Sequence, residues 1–373
     1  MGLFKLATSR MSLLLAMALC VLVTFGCSAP PTSSTKAPDT AAKPTQAAAA
    51  PAAATQAPAA PAAAATKAPD AKAASSSEKY PSRPIDFIVP WGAGGGADQL
   101  ARKLGSLAEK ELGVSLPVIN VAGATGGTGA AKLLAAPNDG YSIAVFIADS
   151  LAAVAAGDAA YSLKDFAPII RAQLCPSYIF VRTDGPYKSW KDVEDAAKAK
   201  PGQLKIAITG QGSLDEATSA YLGSKGVKFN PVPYPTPGER YAALLGGHAD
   251  LLYEQAGDVR QYLTNNQIKP VIIFREKRLE DFPDVPCSKE LGYEIYLPQF
   301  RTIVAKAGTD PAKIKVLADA FEKATKTPEW AAFGKEQYMT ADSFMGPEEV
   351  TKYLNSEYET TVNLMKQLGL KSK

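Results

Sequence analysis

One histidine in 373 residues, His248, leaves little material for a metal site or a histidine-dependent catalytic triad. The four cysteines form no C-x-x-C pair and no cluster with that histidine, so no zinc site or dithiol redox centre is written in the chain. An excess of one charge sign is missing too. The chain carries 40 Lys and Arg against 37 Asp and Glu, with the bases scattered among the acids, which leaves no electrostatic footprint for nucleic acid. No segment supplies the roughly 20 consecutive apolar residues that a membrane span needs. The run MSLLLAMALCVLVTFG near the N-terminus falls short of that. The phosphate loop G-x-x-x-x-G-K-[ST] is also absent, which argues against a nucleotide ligand.

What the chain does have begins with a targeting element. Lys5 and Arg10 precede the apolar run, which ends at Cys27, so residues 1–27 are predicted to be a lipoprotein signal peptide. The stretch VTFGCS resembles a bacterial lipobox, with Gly26 before the cysteine; Cys27 is the expected lipidation site, and a conventional secretory cleavage nearby is the alternative. Cys20 follows the bulky Leu19 and reads as apolar filler within the signal. Residues 28–79 are almost entirely Ala, Pro, Thr, Ser and Lys, a composition that cannot build a core and predicts a semi-extended tether. Cys175 and Cys287 remain in the folding part; in an exported protein they can pair or stay as two buried thiols.

From Tyr80 onward, short apolar runs alternate with helical patterns. IDFIVP, LPVIN and YSIAVFI read as strands, and ADQLARKLGSLAEKEL and GAAKLLAA read as helices with apolar residues three and four apart. That alternation predicts an α/β fold with largely parallel sheets. A second set begins near YIFVRTDG, and the pattern restarts at FRTIVAK before two C-terminal helices. Two lobes are the natural division of so long a region.

Three turns share one design. VPWGAGGGADQLAR, NVAGATGGTGAAKLL and ITGQGSLDEATSAYL each run from a strand through glycines into a helix. Free N–H groups and the positive end of the dipole at a helix start attract an anion, and glycine lets the ligand come close. In open α/β sheets such turns lie at the carboxyl ends of strands, where ligands bind. Asp98 and Ser213 can equally be explained as helix caps. The first turn also fits G-x-G-x-x-A, the dinucleotide pattern. That pattern requires an acid at the end of the following strand, and Asn120 stands there instead.

The segments YPSRPIDFIVPWGAGGGADQLARKL, PVINVAGATGGTGAAKLLAAPNDGYSIAV, KDVEDAAKAKPGQLKIAITGQGS, LLGGHADLLYE and RLEDFPDVPCSKELGY, taken in this order, resemble the solute-binding proteins of tripartite tricarboxylate transporters, the Bug family. The resemblance runs from Tyr80 to the C-terminus. It implies a type II-like periplasmic-binding-protein fold, in which two α/β lobes joined by a two-crossover hinge close on a ligand cleft. By that analogy residues 80–182 and 300–373 form the first lobe and residues 183–299 the second, with crossovers near Arg182 and Phe300. The family's ligands are organic carboxylates, including di- and tricarboxylic acids, amino acids and aromatic acids, held largely by backbone amides.

Carried over position by position, the resemblance implies ligand contacts at Trp91, Gly92, Ala93, Gly94, Gly95, Gly96 and Ala97 in the first turn, and at Gly123, Thr125 and Gly126 in the second. Asp149 and Ser150 stand at a further strand end. The other lobe would contribute Gly210, Gln211, Gly212, Ser213, Tyr234, Tyr253 and Gln255, and Arg301 could pair with a carboxylate through its planar fork. Asp149, Glu254 and Asp258 lie near a site expected to hold an anion; they can bind a cationic or hydroxyl part of the solute or point away. Cys287 replaces the threonine of the family's PDVPT segment. No cofactor, metal or nucleic acid is implied, nor is an enzyme. The expected partners are a small carboxylate and a membrane permease, with a monomer held by its lipid at the outer face of the cytoplasmic membrane or in the periplasm. A sensing protein that passes its closed form to a signalling partner is an alternative. An exported hydrolase built on Ser213 is a weaker one, because GQGSL is not G-x-S-x-G and the single histidine would have to lie beside the serine.

Overall fold

The computed structural model describes residues 79–373. The signal segment with Cys27, and the tether through residue 78, lie outside the described residues. In chain order the strands are β1 (Asp86–Val89), β2 (Val118–Asn120), β3 (Ser142–Ile147), β4 (Phe166–Cys175), β5 (Tyr178–Arg182), β6 (Lys205–Ile208), β7 (Asn230–Pro233), β8 (Leu251–Glu254), β9 (Ile268–Ile273) and β10 (Gln299–Lys306). The helices are α1 (Gly96–Leu112), α2 (Gly127–Ala135), α3 (Ala148–Ala156), α4 (Trp190–Ala199), α5 (Leu214–Ser224), α6 (Pro237–Leu245), α7 (Arg260–Thr264), α8 (Pro311–Thr325), α9 (Pro328–Glu336) and α10 (Pro347–Gln367).

The strands form two five-stranded sheets, ordered β2-β1-β3-β10-β4 and β7-β6-β8-β5-β9. In each, four strands run parallel and one enters antiparallel among them: β10 between β3 and β4, and β5 between β8 and β9. The sequence explains the local pieces. After its first residue β3, SIAVFI, is wholly buried, the unbroken apolar run that a sheet covered on both faces requires. Helix α1 buries Leu100, Leu104, Leu107 and Ala108 at three- and four-residue spacing, in one apolar cluster with Leu317 and Phe321 of α8. A second cluster covers the other face of the first sheet and continues through Leu151 and Val154 of α3 to Leu214 and Ala217 of α5 in the second lobe.

The first passage between lobes comes earlier than the sequence reading put it. Strand β4 belongs to the first sheet and β5 already pairs in the second, so the chain crosses at Pro176 and Ser177 rather than near Arg182. YIFVR is apolar and buried wherever it goes; its partners were decided by the register that sets Tyr178 opposite Glu254 and Ile273. The return crossing lies at Pro298, just before β10. The two passages run side by side, tied by Ser177 Oγ donating to Leu297 O at 3.1 Å. A third segment, after α9, also touches both lobes. Thr340 N donates to Leu174 O, and the Tyr338 ring lies 5.1 Å from Phe282. No helix among the described residues is long and apolar enough to cross a membrane.

Candidate functional site

The strand ends of the two sheets face one another, and six pieces of chain meet there. They are the β1–α1 turn, the start of α3, Thr209 at the end of β6, the start of α6, the segment from Glu254 to Asp258 at the end of β8, and the start of β10. Between them lies a narrow cavity of about 30 Å³, lined by Trp91, Gly95, Gly96, Ala97, Asp149, Arg240, Glu254, Gln255, Asp258, Gln299 and Arg301 among others.

Its chemistry is dominated by buried charge. Arg301 of the first sheet donates through Nη1 to Gln173 Oε1 at 2.8 Å and pairs through Nη2 with Asp258 of the second lobe, both side chains being 3% exposed. Arg240 of α6 pairs with Glu254 Oε2 at 2.6 Å, and the Tyr241 hydroxyl donates to the same oxygen at 3.1 Å. With its nitrogen facing the acids, the Gln255 amide donates to Glu254 at 2.9 Å and to Asp258 Oδ2 at 3.3 Å. Burial pushes Asp258 up to about 7, even with Arg301 beside it. Burial likewise raises Asp149, against the hydrogen bonds it accepts, and holds Asp215 well above the usual carboxylate range, with the Asp149 charge adding to the effect.

The glycine turns meet the sequence expectation in geometry and depart from it in what they hold. Several of the N–H groups are taken by the protein's own acids. Gly94 N donates to Asp98 Oδ2 at 3.0 Å, Gly212 N to Glu216 Oε2 at 2.7 Å, and Thr209 N to Asp215 Oδ2 at 2.7 Å. Leu214 N, at the start of α5, donates to Asp149 Oδ1 at 3.1 Å, so a carboxylate of the first lobe caps a helix of the second. Gln299 completes that link, with Nε2 donating to Asp149 Oδ2 at 2.7 Å and Oε1 accepting from Ala148 N.

Of the residues singled out from sequence, Trp91, Gly95, Gly96, Ala97, Asp149, Gln255 and Arg301 line the cavity. Gly96 is closest to the charges: a Cβ built there would overlap both the Arg301 guanidinium and the Asp258 carboxylate, so only glycine fits. Gly92 and Gly95 pack on Pro237 of α6, whereas Ala93 and Gly94 are exposed. Gly123, Thr125, Gly126 and Ser150 form, with Gly210, Gln211, Gly212 and Ser213, a seam beside the cavity. Thr125 Oγ1 donates to Gln211 O at 3.3 Å across it, and a Cβ on Gly126 would meet Ser150 and Trp91. Tyr253 sits in the core instead, its ring stacked on Phe274 at 5.7 Å and its hydroxyl accepting from Thr218. The Tyr234 side chain packs against the apolar cluster of the second lobe. Ser213 is a helix cap: it accepts from Glu216 N and donates to Gly210 O, while His248 lies in an exposed turn after α6. Cys175 and Cys287 are free buried thiols.

Sequence reasoning missed Arg240 and Gln299. Arg240 left one trace, a cation placed in the opening turns of a helix, where the dipole disfavours it unless an acid lies close. Gln299 left none.

Residues 100–370 match the family model described as the tripartite tricarboxylate transporter family receptor. The chain belongs to this family. It is a family of solute-binding receptors rather than of enzymes. The receptor is 30% identical over 304 residues to a Cupriavidus necator protein named for its position in the gbd 5′ region, covering 80% of this chain and 91% of that one. The solved periplasmic binding protein BugD superposes with a TM-score of 0.73 at 25% identity, covering 79% of this chain and 100% of the other. MatC from Rhodopseudomonas palustris, solved with bound malate, shares the fold with a TM-score of 0.70 at 22% identity, covering 76% and 99%.

Proposed function

We propose that this receptor captures a small organic carboxylate between its lobes, outside the cytoplasm, and delivers it to the membrane permease of a tripartite transporter. The observation that carries the reading is a pair of buried guanidinium groups, Arg240 from the second lobe and Arg301 from the first, flanking one cavity walled by glycine-turn backbone. A guanidinium binds a carboxylate through two parallel N–H bonds and stays charged when buried. Malate bound to a protein of the same fold supports the ligand class. Trp91, Gly95, Gly96, Ala97, Asp149, Gln255 and Arg301, together with Arg240 and Gln299, are the proposed ligand contacts. The seam residues close over the solute.

A cavity of about 30 Å³ has room for only about two waters. A solute therefore enters only if the lobes part, with the passages at Ser177 and Pro298 as the hinge, and closure assembles contacts from both sides. Lipidation at Cys27 and the tether after it would hold the receptor near the permease. Titration calorimetry of the purified receptor with a panel of mono-, di- and tricarboxylates tests the reading. Saturable binding of at least one of them, lost in R301M, is expected; a folded receptor that binds none would overturn it.

A further inference from the structure

The cavity wall contains polar atoms that the protein itself leaves without partners, and they are of both kinds. Trp91 Nε1, Arg240 Nε and Arg301 Nε are buried donors without acceptors, and Asp258 Oδ1 is a buried acceptor without a donor. The other acids are occupied. Asp149 accepts from Leu214 N and Gln299 Nε2; Glu254 accepts from Arg240 and Tyr241 at one oxygen and from the Gln255 backbone at the other. Asp258 alone has one oxygen on Arg301 and one free, pressed against Gly96, where no side chain can intervene.

A dicarboxylate ion offers acceptors only. It satisfies the donors but sets a second anion against Asp258 Oδ1, in a wall that already carries three acids and two arginines. An ammonium group supplies three donors, and a buried acceptor left unmatched costs about 1–3 kcal/mol. We propose that the solute of this receptor is zwitterionic, an amino acid or amino-carboxylate, with its carboxylate on the orphan N–H groups of Trp91, Arg240 and Arg301 and its ammonium on Asp258. This rests on the receptor reading above and narrows it. Burial already strains the ionised form of Asp258, which titrates at about 7, and a ligand cation at Oδ1 relieves that strain.

Matched pairs of solutes test it on the full receptor by titration calorimetry at neutral pH: aspartate with succinate, glutamate with glutarate, γ-aminobutyrate with butyrate. The expected result is that, in the pair that binds, the amino member binds at least about tenfold tighter than its partner. D258N should abolish that preference. Circular dichroism checks that D258N is folded; if it is not, the wild-type comparison decides by itself. Desamino acids that bind as tightly as their amino partners, or an amino preference kept in folded D258N, overturn the proposal and leave the receptor reading standing. If no member of any pair binds to folded wild-type receptor, the zwitterion proposal falls, and the receptor reading is decided separately by the wider panel of mono-, di- and tricarboxylates.

Discussion

Replacing Arg301 with methionine keeps most of the side-chain stem and removes the cation that faces Asp258. Losing one partner of a buried ion pair ordinarily costs about 3–5 kcal/mol, because the remaining charge is stranded in a dry setting. Here the cost is limited, because Asp258 titrates at about 7 in the folded receptor and can take up a proton instead of standing alone. The sign follows from linkage. Unfolded aspartate titrates near about 3.9, so between that value and the folded one the native state holds the extra proton, and stability falls as pH rises. From pH 6 to pH 8 the wild type crosses its native midpoint and loses roughly 1 kcal/mol from this group. Without Arg301 the folded carboxyl moves higher still and stays on the full slope, so its loss over the same range approaches about twice that. Glu254 and Gln255, which face the same carboxylate, are unchanged. R301M should then be destabilised by about 3 kcal/mol at pH 8 and by about 1 kcal/mol less at pH 6. Urea denaturation followed by tryptophan fluorescence at the two pH values measures both numbers. Equal destabilisation at pH 6 and pH 8, or wild-type stability at pH 8, would show that Asp258 is not poised as argued.

Other changes probe other links. Gly96→Ala ordinarily favours a helix by about 1 kcal/mol, but here its Cβ overlaps Arg301 and Asp258, so a lowered Tm and weakened solute binding are expected; a raised Tm refutes the packing. Asp149→Ala strips the start of α5 of its cap from the other lobe and should open the cleft, seen as a larger radius of gyration in X-ray scattering; unchanged dimensions would show that the link does not hold the lobes. Ser213→Ala should cost about 1 kcal/mol as a lost N-cap while solute binding survives, and abolished binding would make the hydroxyl a ligand contact. Both described cysteines should react with a thiol reagent only after unfolding. Burial pushes Cys175 up to about 12, and rapid labelling of the native receptor at either position would contradict the packing.

Local chemistry was legible because it is written locally. The apolar runs, the three- and four-residue spacings and the glycine turns name strands, helices and their junctions without any partner being known. The missing acid at Asn120 ruled out a dinucleotide turn, and the order of the motifs placed the chain among two-lobed binding proteins. Arg301 was legible as a candidate because the resemblance sets it just after the return crossing and its planar fork suits a carboxylate. What the chain alone could not decide is which groups face one another. Whether Tyr178–Arg182 joins the first sheet or the second depends on register with β8 and β9, far along the sequence. Whether a turn's N–H groups meet a solute or an internal carboxylate depends on Asp149 reaching α5 across the lobes. Tyr253 reads like a cleft residue and sits in the core, while Arg240 reads like helix filler and sits in the cavity wall. Charges and hydrogen bonds act over a few ångströms of space and take no account of sequence separation, so the ion pairs and orphan polar atoms of the cleft exist only once the two lobes are folded against each other.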